Sequence, residues 1–208
     1  CLVTVKDLVF VDDRPCSKFR PCSFNYTLFE RSDVRPILLR AKQDNLPEEY
    51  LELTGEFPMF NVDLDTDVQL EASRFERWCN ENRLSPEHFC CMSEPRQKFW
   101  QDFARETRLP ALSSNVTHAL RHKPTMKAWL RNGGIPTAAY MEIASANDIL
   151  AFAAQQGFPI VLKPTDGWGT LDTHLIRNNF DIEQITGLLE RRQMMVEAFV
   201  PYREYECC

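Results

Sequence analysis

The sequence predicts an α/β protein in two parts. Short apolar runs closed by acids or lysine alternate with segments whose apolar residues recur at helical spacing. Glycine is unevenly spread: Gly55 stands alone in the first 132 residues, and the other six lie between 133 and 187. The second part also carries recognisable helix caps and a strand that runs into a glycine loop. The 208 residues suffice for one large domain or two small ones, and 44% apolar with 26% charged residues fits a chain that buries a core.

In the first part, "DLVFVDD" (7–13) and "PILLRAK" (36–42) read as strands, and 43–66 are too mixed to assign. "DVQLEASRFERWCNEN" (67–82) sets Val68, Leu70, Phe75 and Trp78 at mostly helical intervals and predicts an amphipathic helix. "HFCCMSE" (88–94) is a short strand. "PRQKFWQDFARETRL" (95–109) predicts a helix that starts with proline at a first helical position and carries Phe99, Trp100, Phe103 and Leu109. This alternation predicts an open α/β layer.

In the second part, the spacing predicts one helix over 117–132, stopped by Gly133-Gly134, then a strand in "TAAYMEI". "SANDILAFAAQQG" is a helix with Ser145 as N-cap, Asp148 completing a capping box, and Gly157 beyond its end. "FPIVLKP" and "THLIRN" are strands, "DIEQITGLLERR" a helix capped by Asp181, and "QMMVEAFVP" a strand.

Three stretches carry chemistry. In "GFPIVLKPTDGWGTLDTH", Lys163 ends a strand, Pro164 stiffens its exit, and Gly167 and Gly169 let backbone approach a ligand. Thr165, Thr170 and Thr173 add hydroxyls, and successive N–H groups suit an anion nest. The same residues also suit a solvated hairpin, and the order is not that of a P-loop, because the lysine precedes the glycines. In "HKPTMKAWL", Lys123 opens a helix with Lys127 one turn on, a pattern an ordinary charged helix face shares. In "MMVEAFVPYREYEC", an apolar strand presents Glu197, then extended residues, then Glu204 and Glu206. Backbone there can pair with a purine edge and a carboxylate with ribose hydroxyls; a strand with exposed acids is the plainer alternative.

The order of "KP", "GIP", "GFPIVLKP", "DGWGT" and "MVEAFV" resembles the ATP-grasp superfamily, in particular its carboxylate–amine ligases, closely over 113–208 and more loosely over 1–112. The resemblance implies a Rossmann-like pre-ATP-grasp domain over 1–112, followed over 113–208 by the α+β lid subdomain of an ATP-grasp module, truncated before its second half. It implies that Lys123 and Lys163 contact ATP phosphates, that Gly167, Gly169 and Thr170 form the mobile loop over them, that Glu197 with the backbone of Phe199 and Val200 reads adenine, and that Glu204 holds ribose. His122 stands where the family usually has aspartate, and Trp168 and Leu171 are bulkier than many relatives carry.

The implied reaction is ATP-dependent joining of a small carboxylate to an amine or thiol through an acyl phosphate. The family's Mg²⁺ ligands are expected beyond residue 208, so no catalytic or metal-binding residue is assigned within the chain. The expectation is that these 208 residues alone are not a competent ligase. A non-catalytic nucleotide-binding or interaction module, or a truncated non-functional product, are the alternatives.

The net charge of −6 and a pI near 5.3 argue against nucleic acid or an anionic membrane as the main partner. No apolar run approaches the roughly 20 residues of a bilayer span. "CLVTVKDLVFVDD" does not read as a secretory signal, and without an initiator Met the N-terminus reads as processed or cut. The eight cysteines form no C-x-x-C pair and read as thiols of a cytoplasmic protein. Asp63, Asp65 and Asp67 lack the glycine and terminal glutamate of a calcium loop and read as a solvated acidic turn. The substrates are not legible, and homo-oligomerisation is left open.

Overall fold

The computed structural model describes residues 5–11, 32–42, 55, 57–91, 93–167 and 169–201. The chain divides into two units, Cys1–Thr117 and His118–Cys208. Five of the eight cysteines lie outside the described residues.

Unit one holds a parallel sheet with strand order β3-β2-β1-β4, built from β1 (Lys6–Val11), β2 (Val34–Ala41), β3 (Met59–Val62) and β4 (Pro86–Cys91). Val9, Val11, Ile37 and Leu39 are almost wholly buried, and Phe10 and Leu38 on the opposite face are buried too. Burial on both faces explains why β1 and β2 read as continuous apolar runs rather than alternating ones. Helices α1 (Val68–Glu81) and α2 (Gln97–Glu106) pack against the sheet through Phe75, Trp100 and Phe103, with ring centroids 5.5 Å apart for Phe75 and Phe103. The buried face of α1 is Glu71, Ala72, Phe75 and Cys79. Leu70, expected on that face, is 56% exposed, because only positions in phase with Phe75 and Cys79 meet the sheet.

The acidic run before α1 is used locally. Asp63 accepts the Asp65 N–H at 3.1 Å, and Asp67 caps α1 by accepting from Gln69 N at 2.8 Å. Burial pushes the Cys79 thiol up to about 12, with Asp7 and Glu76 adding to the effect.

The single helix expected over 117–132, around the boundary of the two units, is not what forms. There are two helices, α3 (Ser114–Arg121) and α4 (Lys123–Asn132), parted at His122, whose backbone is extended at φ −93° and ψ 99°. Pro124 is the cause. It has no N–H to donate and its ring crowds the preceding turn, so it is tolerated only in the first turn of a new helix.

The sheet of unit two is antiparallel, with order β5-β8-β6-β7, from β5 (Tyr140–Ile143), β6 (Ile160–Pro164), β7 (His174–Ile176) and β8 (Met194–Ala198). Helix α5 (Ala146–Gln156) has the capping box expected of Ser145 and Asp148, and Gly157 follows at φ 78°. Two short helices, α6 (Asn179–Glu183) and α7 (Thr186–Leu189), replace the one expected over 181–192. Asn178, not Asp181, caps the first; Asp181 instead accepts the Arg177 N–H at 2.6 Å. Ile160, Leu162 and Val196 join Ile149 and Phe152 of α5 in the core. Among the described residues, no helix is long and apolar enough to cross a membrane.

Asp7 ties three strands of unit one together. Its carboxylate accepts from Arg35 at 2.6 and 2.9 Å and from Ser85 N at 2.7 Å. Burial pushes its carboxyl up, but the Arg35 guanidinium and the Ser85 N–H outweigh that and hold it below the usual carboxylate range. A lowered native value means stability that is present at neutral pH and lost as pH falls through the native value. We expect Asp7→Asn to lower unfolding free energy by about 1–2 kcal/mol at pH 7, a range set by hydrogen bonds to a charge with a half-exposed partner. Urea titrations at pH 7 and below pH 4 check this: the gap between the two proteins closes in acid, and a gap independent of pH contradicts it.

Candidate functional site

The site is set by strand register. Lys163 of β6 lies opposite Met195 of β8, and Glu197 lies opposite Val161 on one side and Tyr140 of β5 on the other. Cross-strand partners share a face, so Lys163 and Glu197 are diagonal neighbours on the face opposite Leu162 and Val196. Their side chains meet: Lys163 Nζ is 2.6 Å from Glu197 Oε2. That contact is an ion pair off the hydrogen-bonding direction, and Oε2 accepts no directed hydrogen bond.

Helix α4 supplies the second cation. Lys127 Nζ donates to Glu197 Oε1 at 2.9 Å and lies 5.7 Å from the centre of the Tyr140 ring. Tyr140 Oη donates in turn to the Pro124 carbonyl at 3.0 Å, which fastens the start of α4 to β5. One carboxylate therefore serves two ammonium groups, with all three side chains largely buried. The spacing of Lys127 from Lys123 was the available signal for this role, but the same spacing fits a solvated face.

Lys123 stands at the first position of α4. Its backbone N–H donates to the Thr165 carbonyl at 2.8 Å, and its Nζ donates to the Gly167 carbonyl at 2.6 Å. The break at His122 makes this geometry, because the new helix starts beside the end of β6. The loop after β6 is held at several further points. Arg121 donates to the Asp166 carbonyl at 3.0 Å. Arg192 reaches Asp172 at 2.7 Å and Asp166 at 3.4 Å, bridging the two flanks of the loop.

Within the loop, a side chain at Gly167 would bring its Cβ to 3.2 Å from the Pro164 ring. Gly169, Thr170 and Asp172 have φ of 57°, 60° and 54°. For Thr170, a β-branched residue, that conformation is strained. Turned backbone of this kind presents N–H groups on a concave side, a usual way to bind anions.

Of the expected residues, the structure pairs Lys123 with Gly167 and Lys163 with Glu197, both within unit two. Phe199 and Val200 follow β8 and are about half exposed. Glu204 lies outside the described residues.

No family model matches the chain. It is 30% identical over 96 residues to the L-arginine-specific L-amino acid ligase of Bacillus subtilis, covering 42% of this chain and 23% of that protein. It is 28% identical over 89 residues to a D-alanine–D-alanine ligase of Clostridium botulinum, covering 41% of this chain and 30% of the relative. The N5-carboxyaminoimidazole synthetase of Staphylococcus aureus, solved with ADP, superposes with a TM-score of 0.68 at 12% identity, over 96% of this chain and 48% of that one. The relatives it matches are ATP-grasp ligases, and over about two fifths of its length the chain is similar to them in sequence. It spans about half of that ATP-grasp structure and less than a third of the two ligases. Its fold is the mixed α/β arrangement of ATP-grasp proteins, a parallel sheet in one unit and an antiparallel sheet in the next.

The Arg192 bridge leads to a measurable expectation. Replacing Arg192 with Gln removes both ion pairs and leaves the carbonyl contacts of Arg121 and Lys123 in place. Partly exposed pairs of this type are worth up to about 1 kcal/mol, so amide exchange over residues 166–173 accelerates up to about fivefold. Hydrogen-exchange mass spectrometry of the two proteins reads this; unchanged exchange in the loop contradicts the bridge.

Proposed function

We propose that this chain is the nucleotide-binding portion of an ATP-dependent ligase that joins a small carboxylate to an amine or a thiol. The supporting observation is that Lys123 holds the Gly167 carbonyl and Lys163 meets Glu197 within one unit of a chain similar to ATP-grasp ligases. The residues fit the nucleotide chemically. Lys123 and Lys163 would neutralise phosphate oxygens, and the backbone at Gly167, Gly169 and Thr170 would donate to them. Glu197 with the backbone of Phe199 and Val200 would take the adenine edge, and Glu204 the ribose.

When bound, ATP supplies a γ-phosphoryl group to a carboxylate oxygen, with ADP leaving; the amine then displaces phosphate from the acyl phosphate. Phosphoryl transfer of this kind depends on positioning and charge neutralisation rather than on covalent help from the protein. Among the described residues, no group of three His, Cys, Asp or Glu side chains is placed to hold a metal ion. Mg²⁺ is usually held by one or two carboxylates with phosphate oxygens and waters, and no described residue is assigned to it. A small-molecule carboxylate and amine are the expected partners, in the cytoplasm.

Calorimetric titration of the full chain with ATP tests this reading. Wild type binds, and Lys163→Ala and Lys123→Ala each weaken binding by about ten- to a hundredfold, the worth of a hydrogen bond between charged groups. Equal affinities in all three proteins, or no binding by wild type, would overturn it.

A further inference from the structure

The buried lysine of α4 has no part in the nucleotide contacts proposed above, yet it is the less exposed partner of the Glu197 carboxylate. The Lys127 side chain is 10% exposed, against 22% for Lys163. Each ammonium takes one oxygen, Oε1 for Lys127 and Oε2 for Lys163. Two cations on one anion leave one positive charge over. A buried carboxylate must keep a cationic partner, because leaving it unpaired is costly. With Lys127 fixed by its burial and its position over Tyr140, Glu197 keeps that partner whatever Lys163 does. The more exposed cation is then able to turn toward an incoming anion without stranding a charge.

We propose that Lys127 is a positioning residue whose role is to release Lys163: by holding Glu197 permanently, it keeps the Lys163 ammonium available to a polyphosphate. This rests on the reading of the site as a nucleotide site. Without Lys127, Glu197 and Lys163 would form a closed neutral pair, and binding a phosphate would require breaking it. The effect is specific to phosphate, because only the anionic part of the ligand competes with Glu197 for Lys163. It also has a predicted suppressor. Removing the carboxylate charge in the same molecule restores a surplus cation at Lys163.

The experiment compares ATP and adenosine binding to the full chain in four proteins: wild type, Lys127→Met, Lys127→Arg and the double variant Lys127→Met with Glu197→Gln. The quantity read is the ratio of ATP to adenosine affinity, which cancels effects on the purine contacts. In Lys127→Met the ratio falls about tenfold, a charge-assisted contact's worth. In Lys127→Arg it stays within about threefold of wild type, since the charge is kept. In the double variant it recovers to within about threefold of wild type. Circular dichroism establishes that each variant is folded, and Lys127→Arg keeps a charged comparison if Lys127→Met is not. A ratio unchanged in Lys127→Met, an equal loss for ATP and adenosine, or no recovery in the double variant overturns the inference while leaving the nucleotide site standing. Wild type that binds neither ligand overturns the site itself, and the inference with it.

Discussion

The sharing of the Glu197 carboxylate between Lys127 and Lys163 is the interaction on which the arrangement of unit two depends. It joins three elements that are far apart in sequence, α4, β6 and β8. An isolated carboxylate at that depth would be costly, and a carboxylate with one lysine would be neutral and inert toward anions. The shared arrangement satisfies the buried charge and leaves one ammonium more than the carboxylate needs. It also depends on register. A slip of β8 by one residue would carry Glu197 to the face occupied by Leu162 and Val196, into the packing with Ile149 and Phe152.

The same unit shows how one proline shapes a site. Pro124 ends α3 and starts α4, and the restart sets the Lys123 N–H against the Thr165 carbonyl just past β6. Lys123 Nζ then continues to the Gly167 carbonyl. The loop is held by cations at its carbonyls and at its two aspartates, while its turned backbone stays close beneath. On the reading proposed here, cationic groups that hold the loop in this way are gathered beforehand for an anion. Such pre-gathering lowers the reorganisation needed at binding.

Much of this was legible in the sequence, for identifiable reasons. The runs at Val9–Val11 and Ile37–Leu39 are apolar on both faces, as buried parallel strands require, and Ser145 with Asp148 made a capping box that the structure contains. Lys163, Gly167 and Glu197 were picked out because a strand-ending lysine, a glycine loop and a strand-borne acid occur in one order. The helix break is ambiguous in the sequence: apolar spacing runs on through His122 and suggests one helix over 117–132, while Lys123 before a first-turn proline suggests a helix opening there, which is what the structure has. Leu70 misled for a related reason: it sits at a helical interval from neighbours but off the face that meets the sheet. For Lys127 the sequence offers only its one-turn spacing from Lys123, which names no partner. Its partner is 70 residues away, and that pairing exists only once the register of β5, β8 and β6 is fixed.

The most direct test of the central claim is a titration of the isotopically labelled chain with ATP, followed through its backbone amide resonances. The account predicts that the shifts concentrate at Lys163, Gly167 to Thr170 and Glu197 to Val200, with Lys127 moving little because its contact with Glu197 persists. Shifts confined to other segments, or a Lys127 amide that moves as much as that of Lys163, would contradict it.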